Sequence, residues 1–164
     1  MARSYRVLFM VIVLASVLFA VTVSAADKPF DPCSLLTPAE IQAVIGTPVK
    51  PGTPKVQSNP LSGSDCTYIV GDFGSLNVLS RPLQRGETAE LFKAQFAKMK
   101  MTPVDLPGVG EAAFYTSPGF SMVQLHAIKA GKYLLITLLV PGLNEQAVRP
   151  LAAKLMKTVV SRIK

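Results

Sequence analysis

The 164-residue sequence has no tryptophan, one histidine and two cysteines, and these shortages exclude several kinds of site. A protein metal site normally takes three or four ligands, and the single histidine, His126, without any Cys-x-x-Cys pair does not provide them. The few aromatic residues are not interleaved with arginines, and no block holds five like charges, unlike a nucleic-acid-binding surface. We therefore expect no metal, no cofactor and no nucleic-acid partner.

Motifs for common enzyme chemistry are also missing. The sequence contains no Gly-x-Ser-x-Gly, His-Glu-x-x-His or Walker pattern. A cysteine nucleophile would need a histidine base, but His126 lies in the alternating pattern of a strand, where a hydrogen-bonded structural histidine is expected. Gly108 and Gly110 precede a predicted strand rather than a helix with Lys-Ser/Thr, so they predict a tight turn instead of a phosphate loop. We expect no catalytic residues.

Long hydrophobic runs are absent except at the N-terminus. Two arginines precede an apolar run of 17 residues, Val7–Val23, which ends in small residues that suit signal cleavage. We predict that residues 1–25 are a signal peptide cut between Ala25 and Ala26. The alternative is an uncleaved membrane anchor, since a span typically takes about 20 residues.

The predicted mature chain, residues 26–164, is moderately basic. Removing the two arginines of the signal leaves 15 basic and 10 acidic residues, a net charge of +5. The later apolar run Tyr133–Val140 is only eight residues long, which suits a buried strand and not a membrane span. We expect a periplasmic or secreted protein with no transmembrane domain in its mature chain.

Cys33 and Cys66 are the only cysteines. A bacterial lipoprotein carries its cysteine directly at the cleavage site, whereas Cys33 lies eight residues beyond Ala25, so lipidation of Cys33 is not expected. Export to an oxidising compartment instead favours a Cys33–Cys66 disulfide. Such a bond closes a loop of about 33 residues and stabilises a domain by roughly 3.5–4 kcal/mol in the chain-entropy model.

Hydrophobic periodicity and turn residues predict helix, two or three strands, helix, three strands, helix. The helices are predicted at about 38–45, 87–99 and after Asn144, and the strands at about 66–70, 75–81 and 112–116 and in a hairpin about Ala130-Gly131. Thr37 and Glu40 form a capping box, and Gly46 is the expected C-cap. Pro150 should kink the last helix or move its start. The short turns predict antiparallel pairing.

These elements predict a single α+β domain with an antiparallel sheet of about five to six strands and about three helices. Residues 47–63 are rich in proline and glycine, which predicts a long extended loop. The last helix carries five basic residues opposite its apolar stripe: Arg149, Lys154, Lys157, Arg162 and Lys164. We expect them to form a solvated face, with an anionic partner or lipid headgroup as the alternative.

Three stretches together resemble a family of exported bacterial proteins of unknown function, many of them actinobacterial cell-envelope lipoproteins. They are Asp31–Gly46 (DPCSLLTPAEIQAVIG), Ser64–Val70 (SDCTYIV) and Pro107–Tyr115 (PGVGEAAFY). The resemblance implies a small α+β domain with an antiparallel sheet, supports the pairing of Cys33 with Cys66 and implies no activity. The chain departs from the lipoprotein members because no cysteine lies at its predicted cleavage site.

The sequence as a whole favours an exported, disulfide-stabilised, non-catalytic domain of unknown function. Its expected partner is a ligand or an envelope component, including a small apolar ligand. The alternative is an exported enzyme or enzyme inhibitor of an unrecognised type. An apolar concave pocket would favour a small molecule or lipid, whereas a flat exposed patch would favour a protein partner.

Intact-mass analysis of the exported protein tests both processing and the disulfide. We expect the mass of residues 26–164, less two hydrogens, because signal removal and oxidation of the cysteine pair each change the mass. A retained N-terminus would contradict cleavage, and two free thiols would contradict the disulfide.

Overall fold

The computed structural model describes residues 31–56 and 62–164 as one seven-stranded sheet with three α-helices and a short 3-10 turn. The turn spans Pro32–Leu35, and the helices are α1 (Pro38–Ile45), α2 (Ala89–Lys98) and α3 (Glu145–Ser161). The strands are β1 (Thr53–Val56), β2 (Ser64–Val70), β3 (Gly74–Pro82), β4 (Val104–Asp105), β5 (Ala112–Gly119), β6 (Met122–Lys129) and β7 (Lys132–Leu139). The predicted cleavage site between Ala25 and Ala26 lies outside the described residues.

Every strand pairs antiparallel with its neighbours, in the order β1-β2-β3-β7-β6-β5-β4. The predicted α+β class and antiparallel pairing are confirmed, with slightly more strands than expected. None of the helices in the described part of the chain is long and apolar enough to cross a membrane.

The two faces of the sheet are covered unequally because side chains alternate along each strand. The inner face packs against α1, α3 and the 3-10 turn, through buried residues such as Leu76, Leu125 and Ile136. The outer face carries one short helix, α2, whose Phe92 belongs to a second apolar cluster with sheet residues. Much of the outer face therefore lies beyond the cover of a helix.

The predicted disulfide is present and attaches the first described segment to β2. Cys33 and Cys66 are joined with their Cα atoms 5.1 Å apart, across a sequence separation of 33. Close by, the hydroxyl of buried Tyr68 donates to the carbonyl oxygens of Leu36 at 2.6 Å and Cys33 at 3.2 Å. The covalent bond and the hydrogen bonds together fix the segment that leads into α1.

Helix α1 has the predicted bounds and caps, and it gains a partner that the sequence did not indicate. Thr37 and Glu40 form the capping box, and Gly46 ends the helix at a φ of 79°. Arg162, at the end of α3, donates to the carbonyl of Leu35 at 2.6 Å and to Glu40 Oε2 at 3.1 Å. Arg162 is exposed, as expected of the basic face of α3, but it also forms this ion pair with Glu40.

Two other local expectations differ from the structure. The predicted loop 47–63 contains β1, which pairs with β2 at the edge of the sheet; Pro54 is tolerated there because an edge residue need not donate to a second neighbour. Pro150 lies inside an unbroken α3 that starts directly after the predicted N-cap, Asn144, so the expected shift of the helix start is wrong.

Replacing both cysteines, as Cys33→Ser with Cys66→Ser, should lower the free energy of unfolding by roughly 3.5–4 kcal/mol because the unfolded chain regains the freedom of the closed loop. Urea unfolding of the oxidised wild type and the variant measures the difference. Reduced wild type is the control and should match the variant. Equal stability of oxidised wild type and variant would contradict a stabilising bond.

Candidate binding surface

Three loops meet at one end of the sheet. Strand pairing places Gly74 opposite Val70, Ser75 opposite Leu139, and Met122 opposite both Leu139 and Gly119. The β2–β3 turn (71–73), the β5–β6 turn (120–121) and the β7–α3 loop (140–144) therefore project from the same end. We name the apolar residues at this end the tip surface: Ile69, Phe73, Phe120, Leu139, Pro141 and Leu143.

The β5–β6 turn holds the most exposed large apolar side chain of the tip surface. Phe120 and Ser121 have φ values of 56° and 58°, so both lie in the left-handed region. A two-residue turn of this kind favours Asn-Gly, because other residues crowd the backbone there. The side chain of Phe120 is nevertheless 95% exposed and gains little from packing within the domain.

The β2–β3 turn places a second phenylalanine at the same end. Phe73 is 85% exposed, and Ile69, which precedes this turn on β2, is 45% exposed. Single exposed apolar residues are ordinary, but several at one end of a domain mark an interaction surface. The concentration, rather than any single residue, makes this end a candidate site.

A shallow cleft of about 450 Å³ lies beside Phe120. Its walls come from the Phe120 turn and the loop that leads into α3, and they include Leu139, Pro141 and Leu143. Ser121, Asn144 and backbone groups make the lining as polar as it is apolar. The cleft thus offers hydrogen-bonding groups and apolar side chains in similar measure beside the exposed Phe120.

Next to the tip surface, the outer face carries a row of uncharged polar residues. The row crosses β2, β3, β7, β6 and β5, and successive members are register partners: Thr67, Asn77, Thr137, Gln124 and Thr116. Asn77 Nδ2 lies 2.9 Å from Thr67 Oγ1, and Thr116 donates to Gln124 Oε1 at 3.3 Å. The outer face thus carries no charged side chain in the row that borders the tip surface.

His126 lies deeper on the outer face, beneath α2. It is 1% exposed; Thr116 Oγ1 lies 2.9 Å from Nε2, and the Tyr133 hydroxyl lies 2.6 Å from Nδ1. Because the Thr116 proton goes to Gln124, its oxygen accepts from Nε2–H, and Nδ1 accepts from Tyr133. A neutral imidazole satisfies the whole chain of hydrogen bonds, and burial lowers the His126 pKa to about 4.

The His126 arrangement has the residue types of a nucleophile and a base, but its placement prevents substrate contact. Thr116 is fully buried, the Phe114 ring stacks on the imidazole at 4.6 Å, and the Phe96 ring of α2 lies 4.7 Å away. The expectation that His126 is a satisfied strand residue is confirmed.

Arg81 closes the outer-face cluster at the end away from the tip surface. Its guanidinium donates to both oxygens of Glu87, at 2.7 and 2.8 Å, and lies 4.6 Å from the centre of the Tyr133 ring. Hydrogen bonding from Arg81 lowers the pKa of the Glu87 carboxyl. The sequence does not indicate this pair, because only the tertiary fold brings the end of β3 against the segment before α2.

Gly108 and Gly110 form the predicted turn at the entry to β5, with φ values of 77° and 63°. A small cavity of about 210 Å³ lies between this turn and α2, beside the Lys93–Asp105 ion pair.

In residues 31–56 and 62–164, no group of three or more His, Cys, Asp or Glu side chains is placed to hold a metal ion. No family model, curated protein or solved structure matches the chain.

Acid should destabilise the domain through His126. Its folded pKa of about 4 lies below the ordinary 6.5, so the unfolded chain binds the proton more tightly. Stability is therefore complete above pH 6.5 and falls as pH drops toward 4, by about 2–3 kcal/mol at pH 4.5. Urea unfolding between pH 7 and 4.5 measures this loss.

The His126→Gln variant is the control for this pH dependence. It should be less stable overall but nearly independent of pH between 6.5 and 4.5. Below pH 4.5 the carboxylates contribute as well, because Arg162 and Arg81 lower the pKa values of Glu40 and Glu87. Undiminished wild-type stability at pH 4.5 would refute the burial of a neutral imidazole.

Proposed function

We propose that this chain is an exported, disulfide-stabilised, non-catalytic domain that binds a ligand or cell-envelope partner through the tip surface. The Phe120-Ser121 turn carries the proposal. Neither residue is glycine, both have positive φ, and the phenylalanine is almost wholly exposed. Left-handed backbone costs a residue with a side chain roughly 1–2 kcal/mol, which no packing within the domain returns at Phe120.

Backbone strain is found preferentially at functional sites, where the surrounding structure holds it in place. The β6–β7 hairpin at the other end of the sheet provides a comparison within the same chain. Its turn, Ala130-Gly131, has φ values of 48° and 68°, but it uses a small residue followed by glycine. A bulky aromatic residue in the equivalent position of the β5–β6 turn points to a use outside the domain.

The buried position of His126 supports a binding role over an enzymatic one. The side chains that come nearest to a nucleophile and base are enclosed by aromatic rings and already hydrogen-bonded to each other. The tip surface instead offers an open cleft and exposed apolar groups. Export and a periplasmic or secreted location remain proposals that rest on the N-terminal pattern and on the resemblance to exported bacterial proteins.

Changing the turn to its favoured sequence separates stability from binding. The double substitution Phe120→Asn with Ser121→Gly should raise the free energy of unfolding by about 1–2 kcal/mol, because Asn-Gly suits this turn. The same change should abolish co-sedimentation with the envelope fraction of the source cells, because it removes the apolar anchor. Urea unfolding and a pelleting assay measure the two effects.

Ala130→Asn is the matched control, since it creates the same Asn-Gly turn at the opposite end of the sheet. It should leave co-sedimentation unchanged. The proposal fails if wild type does not pellet with the envelope fraction, or if the Phe120→Asn, Ser121→Gly variant pellets as well as wild type.

A further inference from the structure

We propose that the tip surface inserts into the interface of an electrically neutral lipid bilayer; this deepens the proposed function and rests on it. Three features of the molecule point to this occupant: the arrangement of the apolar loops, the placement of charge and the position of the first described segment.

The apolar groups lie along one end of the sheet, as insertion into a flat surface requires. The Phe73 turn joins β2 to β3, the Phe120 turn joins β5 to β6, and β7 separates these two hairpins. With neighbouring strands about 4.8 Å apart, the two turns lie roughly 14 Å from each other. The loop containing Pro141 and Leu143 leaves the same end of β7.

Charge is distributed in the way that a neutral bilayer favours. Asp72 is the one charged residue in the three loops, all of which are described, and Lys50 borders the surface through its backbone bond to Ile69. Beyond the loops, Glu145 and Arg149 pair with each other. Moving charged side chains into a neutral membrane interface costs desolvation energy and gains no attraction to charged lipid. Nearly uncharged apolar loops enter the interface without that cost.

The opposite end of the domain is rich in charge. The β6–β7 hairpin there is flanked by Lys129 and Lys132, and the end of β3 contributes Arg81. The C-terminal part of α3 adds Lys154 and Lys157, both exposed. The domain is therefore polarised, with an apolar end that suits hydrocarbon and a charged end that suits water.

The N-terminal chain enters the domain away from the tip surface. Arg162, which follows α3, holds the carbonyl of Leu35 at 2.6 Å, whereas the N-cap of α3, Asn144, lines the cleft at the tip. A helix of 17 residues separates these points by about 25 Å. The first described segment is therefore held away from the tip surface and does not cover it.

Single-tryptophan variants give the test, because the natural chain contains no tryptophan. Phe73→Trp and Phe120→Trp should each show a blue-shifted emission with phosphatidylcholine vesicles and quenching when the lipid carries brominated acyl chains. Leu91→Trp is the matched control: Leu91 is 43% exposed but lies on α2, and its emission should not change.

Vesicle pelleting measures the affinity. Wild type should bind phosphatidylcholine vesicles reversibly, with a partition constant on the order of that of a single short lipid anchor, about 10⁴ M⁻¹. Phe120→Asn and Phe73→Ser should each lower that constant by about tenfold or more. Binding should persist in high salt, since it does not depend on exposed charges.

Three results would overturn the lipid inference. Binding only to vesicles with anionic lipid, lost in salt and unaffected by the Phe73 and Phe120 substitutions, would assign membrane contact to the basic residues instead. Absence of vesicle binding, while Phe120-dependent pelleting with the envelope fraction persists, would assign the surface to a protein or polysaccharide and leave the proposed function intact. Loss of envelope binding as well would remove both proposals.

Discussion

The disulfide between Cys33 and Cys66 is the constraint on which the closure of the inner face depends. Helix α1 has only two turns and could not persist alone in water. The disulfide and the hydroxyl of Tyr68 hold the segment in front of it against β2, and Arg162 joins it to the end of α3. Two short elements and one long helix can thereby cover a face that spans most of the sheet.

The 3-10 turn and α1 at one end of the described chain, and α3 at the other end, all pack on the inner face. Of the three α-helices, only α2 is therefore left to cover the outer face. This helix encloses the aromatic cluster and His126, and Arg81 closes its far side. Beyond α2, the outer face carries the uncharged polar row, with Asp65 bonded to Asn77 and Lys55 beside it, and it leads to the exposed phenylalanines. The candidate site therefore arises where the fold has no helix left to cover the sheet.

Local sequence signals predicted the elements that depend on neighbouring residues. The capping box of α1, the N-cap Asn144 and the Ala130-Gly131 turn are each confirmed. In each of them the interacting residues lie within a few positions of one another in the sequence. Contacts between residues far apart in the sequence, such as Arg162 with Glu40, are not predicted by any local sequence pattern. Strand β1 was missed because its proline argues against a strand except at an edge, and only the assembled sheet defines the edges.

The tip surface was missed for a related reason. The first strand of the hairpin about Ala130-Gly131 was predicted to begin at Phe120, whereas the structure starts that strand at Met122 and places Phe120 in an exposed turn. Burial of a phenylalanine depends on whether another element reaches it, which composition and periodicity do not reveal. His126, by contrast, was correctly predicted to be a hydrogen-bonded structural residue. The alternating pattern along β6 indicated that it lies within the sheet, and a buried imidazole needs hydrogen-bond partners.

The fate of residues 1–25 determines how freely the domain can rotate. A domain released by cleavage can turn its apolar end toward whichever membrane it meets. A retained N-terminal anchor would instead limit the orientations that the domain can take relative to its own membrane. Processing would then decide how freely the tip surface can meet a surface other than that of its own membrane.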